Sequence, residues 1–245
     1  MNSELYKRLH FYLGNLYRFA TIPLYQINIR PKEARTIFGV SFAKNGWHHV
    51  VKTLEEYDHN PELNYKESSL FRFLKYFEPS SIFDLLDKNI KQKPFPLFLY
   101  PWGSFKINQF KTNKVALDSR FCGPSSDQFI ESHFNHVIKL YNSLKAVGYK
   151  PWIPYNGFIG GTLLIKSNGE RIFVALQGNH RLAILCHLKY KTIKVRNVPG
   201  YLRVVKESQL KNLYFVKNGF CTLESCKEIF YLFFKNKGSR ILKDL

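Results

Sequence analysis

Between Thr162 and Val195 the chain switches twice between strand-like and helix-like patterning. Two apolar runs, Thr162 to Lys166 and Arg171 to Leu176, flank Ser167-Asn168-Gly169-Glu170. An Asn-Gly pair between apolar runs is a strong hairpin signal, because its backbone twist matches that of the flanking strands. The second strand ends at Gln177, Gly178 allows a sharp turn, and a short helix follows from about His180 to Leu188. Thr192 to Val195 then reads as a further strand. This succession constrains the chain to an α+β fold with a small mixed sheet.

The flanks fit that frame. Val115 to Leu117 has the look of a short strand, and Ser125 with Gln128 three residues later has capping-box spacing for a long helix. That helix places Phe134, Val137, Ile138, Tyr141 and Leu144 on one face, and Gly148 stops it. A last helix starts at Thr222, whose hydroxyl can cap it, and carries Cys226, Ile229, Phe230 and Phe233. Towards the N-terminus, Leu70, Phe73, Leu74 and Phe77 form a helical stripe ended by Pro79, and Ser81 can cap a second helix carrying Leu85 and Leu86. Lys91 to Pro96 reads as a linker, and Pro96 to Tyr100 as a buried strand entering Pro101-Trp102-Gly103. The expected organisation is a mainly helical region 1–95, an α+β module 96–200 and a helical extension 201–245.

A chain of 245 residues with 45% hydrophobic residues, 22 Phe and 15 Tyr has apolar surface enough to offset its conformational entropy, which excludes wholesale disorder. The formal charge is +19, and it is unevenly placed: residues 101–245 carry 23 basic and 8 acidic side chains, net +15. Such a field attracts phosphates on nucleotides, nucleic acid, phosphorylated sugars or lipid headgroups without choosing among them. Cys122, Cys186, Cys221 and Cys226 form no CxxC pair and have no histidines at zinc-ligand spacing, so they read as reduced thiols of a cytoplasmic protein. No apolar run approaches the roughly 18 residues of a membrane span.

The segment richest in chemistry is Gly178-Asn179-His180-Arg181. First-turn amides of a helix lack intrahelical acceptors and the dipole adds positive charge, so an anion is favoured there. Arg181 can add a forked pair of charge-assisted hydrogen bonds. His133 and His136 are three apart on a helix and would need a third ligand to hold a metal; a surface pair is the simpler reading. Trp47-His48-His49 and Tyr100-Pro101-Trp102-Gly103 read as core packing that can also wall a pocket. Cys122 beside Gly123, near a helix start, invites a lowered pKa, although no base or resolving partner accompanies it.

Residues 111–198 resemble the ParB/sulfiredoxin-like superfamily. The resemblance lies in Leu144-Lys-Ala-Val-Gly148, the hairpin, Gly178-Asn-His-Arg181, Leu182-Ala-Ile-Leu185 and Thr192-Ile-Lys-Val195. It implies that Gly178, Asn179, His180 and Arg181 bind nucleotide phosphates, with ATP or CTP as ligand; Mg is expected because phosphoryl transfer usually needs it. Asn179 stands where sulfiredoxins carry Cys, which argues against reductase chemistry. Residues 199–245 offer no convincing helix-turn-helix, which argues against chromosome partitioning. The kinase branch implies an acidic base near a strand end, for which Asp118 is the match and Asp127 the reserve, with His180 as the other catalytic candidate. Arg120, Ser125 and Ser126, near the next helix N-terminus, form a second candidate phosphate wall. The whole chain also resembles proteins of bacterial surface-polysaccharide gene sets, which implies a sugar or other small hydroxyl-bearing acceptor.

These readings converge on a nucleotide-dependent phosphotransferase or nucleotide hydrolase with no resident metal ligands. The alternatives are a basic nucleic-acid-binding protein and a nucleotide-sensing switch without turnover.

Overall fold

The computed structural model describes residues 26–79, 100–102, 118, 121–152, 157–198 and 201–235. Strands β1 (Gln26–Ile29) and β2 (Arg35–Thr36) come first, followed by helices α1 (His49–His59) and α2 (Ser69–Tyr76). Helix α3 (Asp127–Val147) leads to β3 (Ile159–Ile165), β4 (Arg171–Gln177), α4 (Asn179–His187) and β5 (Ile193–Asn197). Strand β6 (Val204–Lys206), the single turn α5 (Tyr214–Lys217) and α6 (Leu223–Lys235) complete the described chain.

The six strands form one mixed sheet in the order β1-β5-β3-β4-β2. The expected hairpin is present: β3 and β4 pair antiparallel, with Ile165 opposite Arg171. Along its other edge β3 meets β5 in its first half and β6 in its second, both in parallel. Strand β1 pairs antiparallel with β5, and β2 parallel with β4.

The N-terminal region, expected to be mainly helical, therefore supplies two strands of the sheet. Both are too short, at four and two residues, to show a period-2 pattern of their own, and partner strands far along the chain stabilise them. One buried cluster runs from Ala34 through Phe73, Val137 and Leu182 to Phe233, so the core takes side chains from all three expected segments. Helix α1 packs on α4, and α3 packs on both α2 and α4.

Helix α3 buries Ile130, His133, Phe134, Val137, Tyr141 and Leu144. Burying each large apolar side chain of that face contributes about 1.5–3 kcal/mol. Its N-cap is Ser126, whose hydroxyl accepts from Phe129 N–H at 3.3 Å, one residue beyond the expected Ser125. Ser68 caps α2 through Phe71 N–H, and Thr222 Oγ1 accepts from Ser225 N–H at 3.1 Å ahead of α6. Tyr100 and Trp102 are core: both are buried, Trp102 packs against Phe230 and Phe233, and the Tyr100 hydroxyl donates to the Ile37 carbonyl. The expected strands at 96–99 and 115–117 and the helix at 81–86 lie outside the described residues.

Candidate functional site

The turn that opens α4 faces a cavity of about 300 Å³. Its position follows from the hairpin. Gly160 pairs with Gln177 but Gly161 with Ala175, so Leu176 is an extra residue and β4 bulges just before it ends. A bulge redirects a strand and the side chains that follow it. Gly161 is required there: a Cβ on it would lie 2.2 Å from the Val174 carbonyl oxygen. Gly178 then takes φ +78°, a left-handed conformation that costs an L residue about 1 kcal/mol or more, and delivers the chain into α4. No side chain caps this helix, and its first internal bond runs from Leu182 N–H to the Gly178 carbonyl at 2.9 Å.

Gln177, Gly178, Asn179, His180 and Arg181 all line the cavity. The opposite wall is built from the segment after β2, the start of α1 and the middle of α3, and includes Phe38, His48, His49, Phe121, His136 and Leu140. Among the described residues that line it, none is acidic.

Histidines from three separate segments meet here. His133 Nε2 lies 3.0 Å from His180 Nε2, so one ring donates its N–H to the other. The His136 ring centroid is 6.3 Å from that of His180. The surface-pair reading of His133 and His136 thus holds only for His136: His133 is 6% exposed and stacks on Phe129, because its helical position falls on the face turned to the core. Among the described residues no group of three side chains is arranged to hold a metal ion.

His48 and His49 continue a column of rings, Phe42, His48, His49, Phe73 and Phe77, each stacked on the next at 3.9–5.0 Å. His48 caps α1 by accepting Val50 N–H at its Nδ1, which leaves the ring proton on Nε2. Burial pushes its pKa down to about 3, so the ring is neutral. His49 is also held well below the usual imidazole range, by burial and then by the neighbouring His48, His180 and His133. Among the described residues the Nε2 of His48, a residue only 1% exposed, has no hydrogen-bond partner, and neither has the Oδ1 of Asn179. A buried polar atom left unpaired costs about 1–3 kcal/mol, a cost that a ligand or an ordered water removes.

Arg181 is half-buried and donates from Nη1 to the Gly157 carbonyl. Burial lowers its pKa, Tyr149 opposes that and Arg196 adds to it. The guanidinium is thus anchored at the rim of the cavity with a second cation near it.

The other expected residues lie elsewhere. Asp118 adopts φ +61° and its Oδ1 accepts Ser126 N–H at 2.7 Å, which ties the preceding loop to the N-terminus of α3. Ser125 is buried and Ser126 is the α3 N-cap; neither lines the cavity, nor does Asp118. Asp127 is paired with Lys75 at 2.7 Å and Lys66 at 3.6 Å. Arg120 lies outside the described residues. For Cys122 the expected direction is reversed: burial, with Glu78 adding, pushes its thiol up to about 12. All four cysteines are free thiols.

Sequence reasoning treated His48, His49 and His133 as packing or surface residues. The available signal was the two histidine pairs themselves, His48 with His49 and His133 with His136, four of the chain's eight histidines. No protein-family model, no curated protein and no solved structure matches this chain. Among the described residues, no helix is long and apolar enough to cross a membrane.

Proposed function

We propose that the cavity holds the terminal phosphate of a nucleotide, and that the protein transfers this group to a small hydroxyl acceptor or to water. The observation that carries the reading is that Gly178 to Arg181, an uncapped helix start with an anchored guanidinium, face a cavity with no acidic side chain among its described lining residues. The resemblance to the ParB/sulfiredoxin-like superfamily supports the same turn. At about 300 Å³ the cavity is at the lower end for ligand pockets, enough for a phosphate-bearing end of a nucleotide, ATP or CTP.

In this reading the first-turn amides and Arg181 bind the phosphate oxygens. The His180–His133 pair takes the acid–base role, because two imidazoles already joined by a hydrogen bond can accept a proton from the attacking hydroxyl. The new P–O bond forms as the bond to the leaving diphosphate breaks, and the proton resides on the pair. Asp118, committed to the α3 amide, has a positioning role in this scheme.

Mg does not fit the described cavity as a protein-held ion, since Mg selects oxygen ligands and usually one or two carboxylates, and the lining has none. That observation favours a second reading, nucleotide binding without turnover. The experiment is a thermal-shift series with ATP, ADP, CTP and GTP, followed by phosphate-release assays. Stabilisation that disappears in Arg181→Ala supports the site. Phosphate release lost in His180→Ala with binding retained supports transfer, whereas binding with no release supports the switch. No stabilisation by any nucleotide overturns both.

A further inference from the structure

At the other end of α4 lies a larger groove of about 630 Å³. Its walls include Arg30, Lys32, Lys44, Lys189, Tyr190 and Lys191, with no acidic residue among them. The five cations are exposed. Arg30 makes an exposed ion pair with Glu33, whereas among the described residues no ion pair involves Lys32, Lys44, Lys189 or Lys191. Clustering like charges costs free energy, and an anionic partner recovers it.

Lys189 adds an independent observation. It holds φ +60° directly after α4, where Tyr190 N–H bonds back to the Leu185 carbonyl at 3.0 Å. Gly or Asn is the usual residue at that helix end, and a lysine there carries strain. A cation near a helix C-terminus complements the dipole, which accounts for Lys189 and Lys191. It does not account for Arg30, Lys32 and Lys44, which arrive from a segment about 150 residues away in sequence.

We propose that this groove binds the phosphodiester backbone of a single-stranded nucleic acid. Cations spaced along a concave channel with an aromatic ring in its wall are the means by which single strands are held without sequence preference. A bilayer surface fits less well, because a flat surface does not enter a groove and none of the large exposed apolar side chains, such as Trp152 or Phe220, lines it. The inference is independent of the nucleotide cavity.

The test is fluorescence anisotropy of a labelled twelve-nucleotide oligothymidylate. The triple variant Lys32→Glu, Lys44→Glu, Lys191→Glu is expected to lose at least tenfold in affinity. A control triple with the same charge change at the exposed Lys211, Lys217 and Lys227 is expected to stay within threefold. Lys189→Gly relieves the backbone strain and removes one phosphate contact, so its melting temperature rises while its affinity at 0.1 M salt falls about fivefold. That opposed pair of shifts keeps the proposal falsifiable if the triple variant fails to fold. Equal losses in the two triples, unchanged affinity in Lys189→Gly, or binding to phosphatidylserine vesicles but not to the oligonucleotide would overturn it.

Discussion

The two ends of α4 solve the same electrostatic problem in opposite ways. At its N-terminus an anion would meet backbone amides, one anchored guanidinium and neutral imidazoles inside a small cavity. At its C-terminus it would meet exposed cationic side chains and one tyrosine ring in a larger groove. On the two proposals the first site would select by geometry and tolerate salt, whereas the second would select by charge density and be weakened by salt.

Salt is therefore the sharpest way to break the comparison. Raising NaCl from about 50 to 200 mM is expected to weaken oligonucleotide binding about fiftyfold for four neutralised phosphates. Nucleotide binding measured in the same titration is expected to change less than threefold. Comparable sensitivity of the two would mean that both ligands use the groove.

Geometry at the cavity end is tested by Gly161→Val. Its Cβ would collide with the Val174 carbonyl, a backbone atom that cannot step aside, so urea denaturation is expected to show a loss of about 3 kcal/mol. Nucleotide stabilisation should disappear with the bulge, whereas oligonucleotide binding by the folded fraction should persist. Arg181→Ala sharpens the same contrast at smaller cost. Loss of its bond to Gly157 is expected to destabilise by about 1.5 kcal/mol and to reduce nucleotide affinity more than tenfold, read by thermal shift, with the oligonucleotide affinity unchanged.

The smallest expected effect concerns a cluster at the C-terminal end of α4. Asp58 accepts Tyr141 Oη–H at 2.7 Å and pairs with His187 Nε2 at 2.7 Å, joining α1, α3 and the last residue of α4. Burial raises the Asp58 pKa, but the hydrogen bonds from Tyr141 and His187 outweigh it and leave the carboxyl below its usual value. A depressed carboxylate stabilises the fold above its unfolded pKa, and that contribution is lost as pH falls through the folded value. Asp58→Asn should therefore cost at most about 1 kcal/mol at pH 7, the pair being partly exposed, and flatten the decline in stability below about pH 4. A decline as steep as that of the wild type would assign it to other carboxylates.

Much of the region from Asp127 to Asn197 was legible without coordinates, since α3, the hairpin, the Gly178 turn and α4 are written in patterns a few residues long. The N-terminal strands were not, because β2 is a two-residue pairing with β4 and has no period to read. The same limit applied to the site. Gly178 to Arg181 could be read as a candidate anion turn, but Asp118 and Ser125 adjoin a different helix end, and chemistry read from residue type could not say which cavity each would face.

The amino-acid order by itself determined the α+β class, the cap at Thr222, the hairpin and the turn at Gly178, the last three being consequences of contacts between near neighbours along the chain. Only the tertiary structure decided that His49, His133 and His180 meet, that Cys122 is a buried inert thiol, and that Lys32 and Lys44 share a groove with Lys189 and Lys191. The physical reason is that burial and long-range proximity depend on the path of the whole chain, and these two quantities set which imidazole is neutral and which cations stand together.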